Sequence, residues 1–354
     1  MKIYGNGKLP SLDGLRAIAI FLVIGDHWAA LGLLPESALG WWHRLFSGSV
    51  GVRVFFVLSG YLITTLLLRE ASRSGKVNLK RFYARRAFRI LPCYFLFLIA
   101  LAISDRSIGD KSYIQAITFT TYMWGAPNWE TSHLWSLAVE MQFYFVWPVL
   151  FRCVATKYRW LFPAALILIS PVIRVIDQEQ FSYRFSLTIL THGDELAFGC
   201  LAAILSRNIS DVLALFGIWQ RPWLMRLGCV VVFLFVWQVK ASNYAGSLTT
   251  PFLPSVQACC IALLILSLVE VNSGVASRLL NIPALCWVGS VSYSLYIWQQ
   301  IFLGPYSAVS LGEGIARVGG VFLVATGSFY LIETPARCWG KRFFLPQSEC
   351  PPTS

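Results

Sequence analysis

What constrains this chain most is the recurrence of long apolar stretches. Ten can be marked, at about 15–34, 51–68, 88–104, 134–151, 159–176, 185–206, 225–239, 253–270, 285–303 and 315–333. Each approaches the roughly 20 residues with which a helix crosses about 30 Å of hydrocarbon. Lipid offers no partner to an unpaired backbone group, so such segments must be helical. Only 13% of the 354 residues are charged and 56% are hydrophobic, whereas a soluble domain carries about 25% charge. Soluble globular and disordered classes are thereby excluded. The expectation is an all-α integral membrane protein with about ten transmembrane helices. Residues 1–342 form one membrane domain and 343–354 a short cytoplasmic tail. The N-terminal apolar run is too long, and lacks the small-residue site, for a cleaved signal peptide.

The net charge of +12 must lie outside the hydrocarbon. With ten spans and both termini cytoplasmic, 21 of the 29 Lys and Arg fall on or near the cytoplasmic side, as the positive-inside rule requires. This placement accounts for the basic excess without a nucleic-acid partner. Counting 113–124 as an eleventh span would invert every later loop, so 105–133 is expected to be an external loop, with 113–124 an interfacial or re-entrant piece. The nine cysteines show no C-x-x-C spacing; they read as small hydrophobes, with neither a disulfide framework nor a metal site.

Ionisable residues inside spans are costly and mark function by default. The main ones are Asp26 and His27 in the first span, Glu140 in the fourth, and His192, Asp194 and Glu195 in the sixth. Helix rise places them at overlapping depths in the middle and outer bilayer, which permits one shared polar cavity. Asp26 and His27 are adjacent and point about 100° apart, so they form no natural dyad. The alternative for His27 is a core histidine satisfied by a carbonyl, and for Glu140 a link to a neighbouring helix. The basic run NLKRFYARRAFRILP before the third span also has two readings. One is topology and attraction to anionic lipid headgroups. The other is an anion site in which Arg86 and Arg89 share a helix face, with Arg16 at the cytoplasmic mouth of the first span.

Six strings, in order along the chain, resemble a known family: SLDGLRAIAIFLVIGDHW, GVRVFFVLSGYLIT, FYARRAFRILP, SHLWSLAVEMQFYFVWPVL, SYSLYIWQ and IETPARCW. Together they resemble the membrane-bound acyltransferase family three, bacterial inner-membrane proteins that move acyl groups from acyl-CoA onto envelope carbohydrates. The resemblance implies that Arg16 and His27 are the family's basic residue and histidine. It also implies that Arg86 and Arg89 are the arginine pair linked to the donor, and that Glu140 is the motif glutamate behind His133, Trp135 and Ser136. Three positions depart from the family pattern: Arg53 replaces an acidic or small polar residue, Met141 a second glutamate, and Gln299 a frequent histidine.

The implied activity is O-acylation, with acetyl-CoA or another acyl-CoA as donor and no metal. The acceptor would be a sugar hydroxyl of a lipid-linked or exported glycan. Phosphates of the donor would sit against Arg86 and Arg89, with Arg16 nearby, and the pantetheine arm would rise toward His27. There His27 acts as general base, or is itself acylated and passes the group on, with Glu140 orienting or charge-balancing it. His133, Trp135, Ser136 and Asp194 are the candidate acceptor contacts. The expected partners are membrane lipid, acyl-CoA, the carbohydrate acceptor and an extracytoplasmic enzyme. Two competing classes are a transporter of acyl groups or glycan precursors that uses the carboxylates as a proton relay, and a catalytically silent glycolipid-binding member of the family.

Overall fold

The computed structural model describes residues 9–104, 109–122, 127–180, 188–206, 222–241, 250–270, 274–304 and 309–344. Among these there is no β-strand, and the chain is an all-α membrane protein. The helices are α1 (Pro10–Ala29), α2 (Glu36–Leu45), α3 (Gly48–Ser74), α4 (Leu79–Ile103), α5 (Gly109–Ile117), α6 (Trp129–Ser132), α7 (Leu134–Cys153) and α8 (Leu161–Gln180). They continue with α9 (Ile189–Leu205), α10 (Pro222–Ala241), α11 (Leu253–Glu270), α12 (Val275–Leu280), α13 (Pro283–Phe302), α14 (Leu311–Ser328) and α15 (Thr334–Phe344). A π-turn over Phe329–Glu333 joins the last two. Lys2, Lys8, Arg207 and Arg221, which entered the charge placement, lie outside the described residues, as do 185–187 of the sixth apolar stretch and 345–354 of the tail.

Each of the ten apolar stretches is helical over most of its described part; the first ends early, at Ala29. Among the described residues, six helical stretches are both long and apolar enough to cross a membrane: those holding α3, α4, α7, α8, α11 and the α14–α15 run; α10 holds a shorter apolar helix, Trp223–Val239. Helices α1, α9 and α13 stand apart for a physical reason. The first carries Asp13, Arg16 and Asp26, the second has 17 residues with Asp194 and Glu195, and the third ends in Gln299 and Gln300. More than half of each is buried against protein: eleven of twenty residues in α1, ten of seventeen in α9 and eleven of twenty in α13. A helix surrounded by other helices need not be apolar on every face.

These three helices and α3 form the centre, where α3 packs on α9, and α1 on both α13 and α3. Small residues set the closeness of approach, as is usual between membrane helices. A Cβ on Gly60 of α3 would overlap the carbonyl of Leu196, and one on Gly199 of α9 would overlap the carbonyl of Val57. Backbones are therefore in contact on both sides of that seam.

Two helices are longer than their apolar stretches. With 27 residues α3 reaches about 40 Å, beyond the hydrocarbon, and Gly75 ends it in the left-handed conformation at φ 71°. The basic run is not a loop. Asn78 caps α4 by accepting the Arg81 N–H at 3.0 Å, and the helix continues from there through the third apolar stretch.

Two buried ionic networks occupy the interior around α9. Arg53 donates to Glu195 at 3.2 Å and to Gln257 at 2.5 Å. Arg174 of α8 donates both its terminal nitrogens to Asp194, at 3.0 and 2.9 Å, and Ser255 adds a bond at 2.5 Å. Such charges persist in an apolar interior only when paired.

Candidate functional site

Two cavities lie along the central helices. The first, of about 240 Å³, is lined by three guanidinium groups, from Arg16 on α1 and Arg86 and Arg89 on α4. Glu140 and Tyr144 of α7 and Ser59 of α3 line it too, beside apolar walls from Phe55, Phe56 and Leu62. The second, of about 270 Å³, is lined by Asp26, His27, Tyr122, Trp129, Ser132, His133, Trp135 and Gln300.

The order of lining residues along each helix shows how the cavities are stacked. On α1 the cationic cavity takes Arg16 and the histidine cavity Val23, Asp26 and His27. On α3 the histidine cavity takes Gly48, Ser49 and Val52, and the cationic cavity runs from Val52 to Leu66. The α7 segment changes sides between Trp135 and Ser136, and α13 does so at Tyr296. Val52 and Tyr296 line both cavities and so form their common wall. Tyr296 is fixed there: its hydroxyl donates to the His133 carbonyl at 2.8 Å and meets the Ser136 hydroxyl at 2.6 Å.

In the cationic cavity, Arg16 is held by Asp13 of its own helix at 2.7 Å. Among the described residues no carboxylate hydrogen-bonds the guanidinium of Arg86 or Arg89. Arg86 instead lies over the Tyr144 ring, 5.3 Å from its centre, and near Phe82. Placing Arg86 and Arg89 on one continuous helix, three positions apart, turns both toward the same space. One lining carboxylate against three guanidiniums leaves the cavity net positive. Glu140 accepts hydrogen bonds from the hydroxyls of Ser59 and Tyr144.

In the histidine cavity, His27 Nδ1 lies 3.1 Å from Gln299 Oε1. The amide oxygen accepts from Nδ1–H, which leaves Nε2 with its lone pair and, among the described residues, without a protein partner. The edge of the His27 ring meets Trp129 at 5.6 Å between centres. His133 donates Nε2–H to the Ile297 carbonyl at 3.1 Å, and its Nδ1 has no partner among the described residues. Asp26, which lines the same cavity, pairs with His43 of α2 at 2.9 Å.

Several expectations change here. Glu140 makes no hydrogen bond to His27 among the described residues; it lines the cationic cavity, on the other side of the Val52–Tyr296 wall, and accepts from Ser59 and Tyr144 instead. Asp194 lines neither cavity, because Arg174 and Ser255 occupy its oxygens. Ser136 lines the cationic cavity, whereas His133 and Trp135 line the histidine cavity. Gln299, read as a departure from the family pattern, is the residue that meets His27.

The described parts of 105–133, residues 109–122 and 127–133, form a cap against the bundle. Its nine-residue α5 is about 14 Å long and crosses nothing. Tyr94 donates to the Ala116 carbonyl at 2.8 Å, and Trp129 Nε1 donates to the Gln300 carbonyl at 3.2 Å. The cap thereby supplies Tyr122, Trp129 and Ser132 to the histidine cavity. Sequence reading missed these three; the aromatic content of 113–129 in an otherwise external loop was the available signal.

A cationic cavity and a histidine cavity abut inside the helix bundle of a multi-pass membrane protein. The acyltransferase-domain family matches residues 9–333, and the chain belongs to it. It is 26% identical to the peptidoglycan O-acetyltransferase OatA of Listeria monocytogenes, over 94% of this chain and 56% of that protein. It is 29% identical to the O-acetyltransferase OatA of Staphylococcus aureus, over 98% of this chain and 60% of that protein. The chain thus spans less than two thirds of the length of these relatives. No solved structure matches it.

Proposed function

We propose that this chain is an O-acetyltransferase of a bacterial inner membrane. In this reading it takes an acetyl group from acetyl-CoA on the cytoplasmic side and passes it to a sugar hydroxyl of an envelope glycan on the other. The observation that carries the reading is the wall shared by the two cavities. Helix rise separates Arg16 from His27 by about 16 Å along α1, a distance that an extended pantetheine arm can bridge.

The residues divide the work as follows. Arg86, Arg89 and Arg16 hold donor phosphates through charge-assisted hydrogen bonds, and the apolar walls of the same cavity accept the uncharged arm. Glu140 fixes Tyr144 and Ser59 beside the arginines. Gln299 keeps the proton of His27 on Nδ1, so that Nε2 can accept one. As the acceptor hydroxyl attacks the thioester carbonyl carbon, its proton passes to His27 Nε2 and the new C–O bond forms. The C–S bond then breaks, and the departing thiolate takes the proton back from His27. Transfer through an acyl-histidine would use the same atom as nucleophile. His133, Trp135 and the cap residues Tyr122, Trp129 and Ser132 would bound the acceptor, with Trp135 and Trp129 offering faces to a sugar ring. Ten spans with both termini cytoplasmic, and an extracytoplasmic enzyme that works on the same glycan, complete the reading. A transporter is not favoured by membership in an acyltransferase family.

The test is His27→Ala in a chain that still inserts in the membrane. Loss of a general base costs about 10²–10⁴ in rate, so mass spectrometry of the glycan should show the O-acetyl group lost. Normal acetylation would overturn the proposal.

A further inference from the structure

We infer that Val52 and Tyr296 set the largest acyl group this chain transfers. The inference rests on the acyltransferase reading above and adds the residues that select the acyl group. The cationic and histidine cavities meet at these two side chains. With the donor's phosphates at Arg86 and Arg89, and the receiving nitrogen or hydroxyl at His27, the acyl carbon must be presented at that wall. Any carbon beyond the carbonyl has to fit between the two side chains or fold back into the cationic cavity.

The wall is rigid for stated reasons. Val52 is buried, β-branched and stiff at χ1, and it follows Gly51, where an added Cβ would overlap the Ala19 carbonyl of α1. Helices α1 and α3 are therefore in backbone contact one residue from the wall, and α3 cannot recede without losing that seam. Tyr296 is tied by its hydroxyl to both the His133 carbonyl and Ser136, and its ring meets those of Phe55 at 6.3 Å and His133 at 5.5 Å between centres. Neither side can yield to a longer chain at low cost. A site of fixed width discriminates by about tenfold or more for each methylene it cannot seat.

The experiment measures acyl transfer by the full chain in membrane vesicles supplied with acetyl-, propionyl- or butyryl-CoA labelled in the acyl group. The readout is label leaving CoA for any other product, and the quantity compared is the butyryl-to-acetyl ratio of kcat/KM. A ratio within one preparation is insensitive to the folded fraction. Val52→Ala removes two methyl groups from the wall and should raise the ratio about tenfold. Tyr296→Phe unties the ring from α7 without removing it and should move the ratio in the same direction. Val52→Phe should lower transfer of butyryl more than that of acetyl. Ratios within twofold of the parent in Val52→Ala and Tyr296→Phe overturn the inference while leaving the acyltransferase reading standing. A parent chain that moves label from none of the three donors overturns that reading and this inference with it.

Discussion

Gln299 of α13 holds the imidazole of His27 on α1, with 3.1 Å between Oε1 and Nδ1. The two lie 272 positions apart in sequence and meet because α1 packs along α13. At that packing face a Cβ on Gly289 would overlap the Asp13 carbonyl. An amide oxygen accepts and cannot take up the proton at neutral pH, so it specifies one tautomer of the histidine. Gln299→Ala should lower kcat by about 10²-fold, the scale of a misoriented catalytic group, with donor KM little changed. Gln299→His, which restores the residue frequent in the family, should recover part of the loss. Equal kcat in Gln299→Ala and the parent would remove the tautomer role.

Arg86 and Arg89 are tested by binding. Each charge-assisted hydrogen bond contributes about 1.5–3 kcal/mol, so Arg86→Ala with Arg89→Ala should weaken CoA affinity by at least about 10²-fold. The residual binding should also depend less on salt, Arg16 alone remaining. Calorimetry with purified protein checks this; unchanged affinity would leave the pair serving orientation in the membrane alone.

Glu140 belongs to the cationic cavity, and its variants should behave accordingly. Glu140→Gln should change KM for acyl-CoA more than kcat, because its contacts are Ser59 and Tyr144 beside Arg86. Steady-state kinetics decides the matter. A loss confined to kcat and as large as that of His27→Ala would return Glu140 to the histidine's side of the wall.

Asp194 should prove structural. Removing one partner of a buried pair leaves an uncompensated charge at a cost of about 3–5 kcal/mol. Asp194→Ala and Arg174→Ala should therefore each lower the thermal stability of the detergent-solubilised protein. Replacing both with apolar residues should restore most of it. A stable Asp194→Ala protein with a raised acceptor KM would instead place that carboxylate in the site.

The helices and their order were legible in the chain itself, because the need to satisfy every backbone group in lipid makes each apolar stretch a helix wherever it sits. Arg86 and Arg89 could likewise be placed on one face from their spacing of three. The Arg16 and His27 separation follows from helix rise in the same way. Partners across helices could not be read. Glu140 and His27 have overlapping depths by counting, yet Val52 and Tyr296 stand between them; depth along the membrane says nothing about rotation about the helix axis or about what fills the space between. Asp194 is engaged by Arg174, twenty residues earlier on α8, a partner that spacing along the chain does not reveal. The cap residues Trp129 and Tyr122 reach the site only because 109–122 and 127–133 pack back against the bundle. Apolar periodicity is a local property and the hydrocarbon enforces it locally. Which polar groups meet is decided by helix packing, and here that packing is set by small residues such as Gly60, Gly199 and Gly289, where backbones touch.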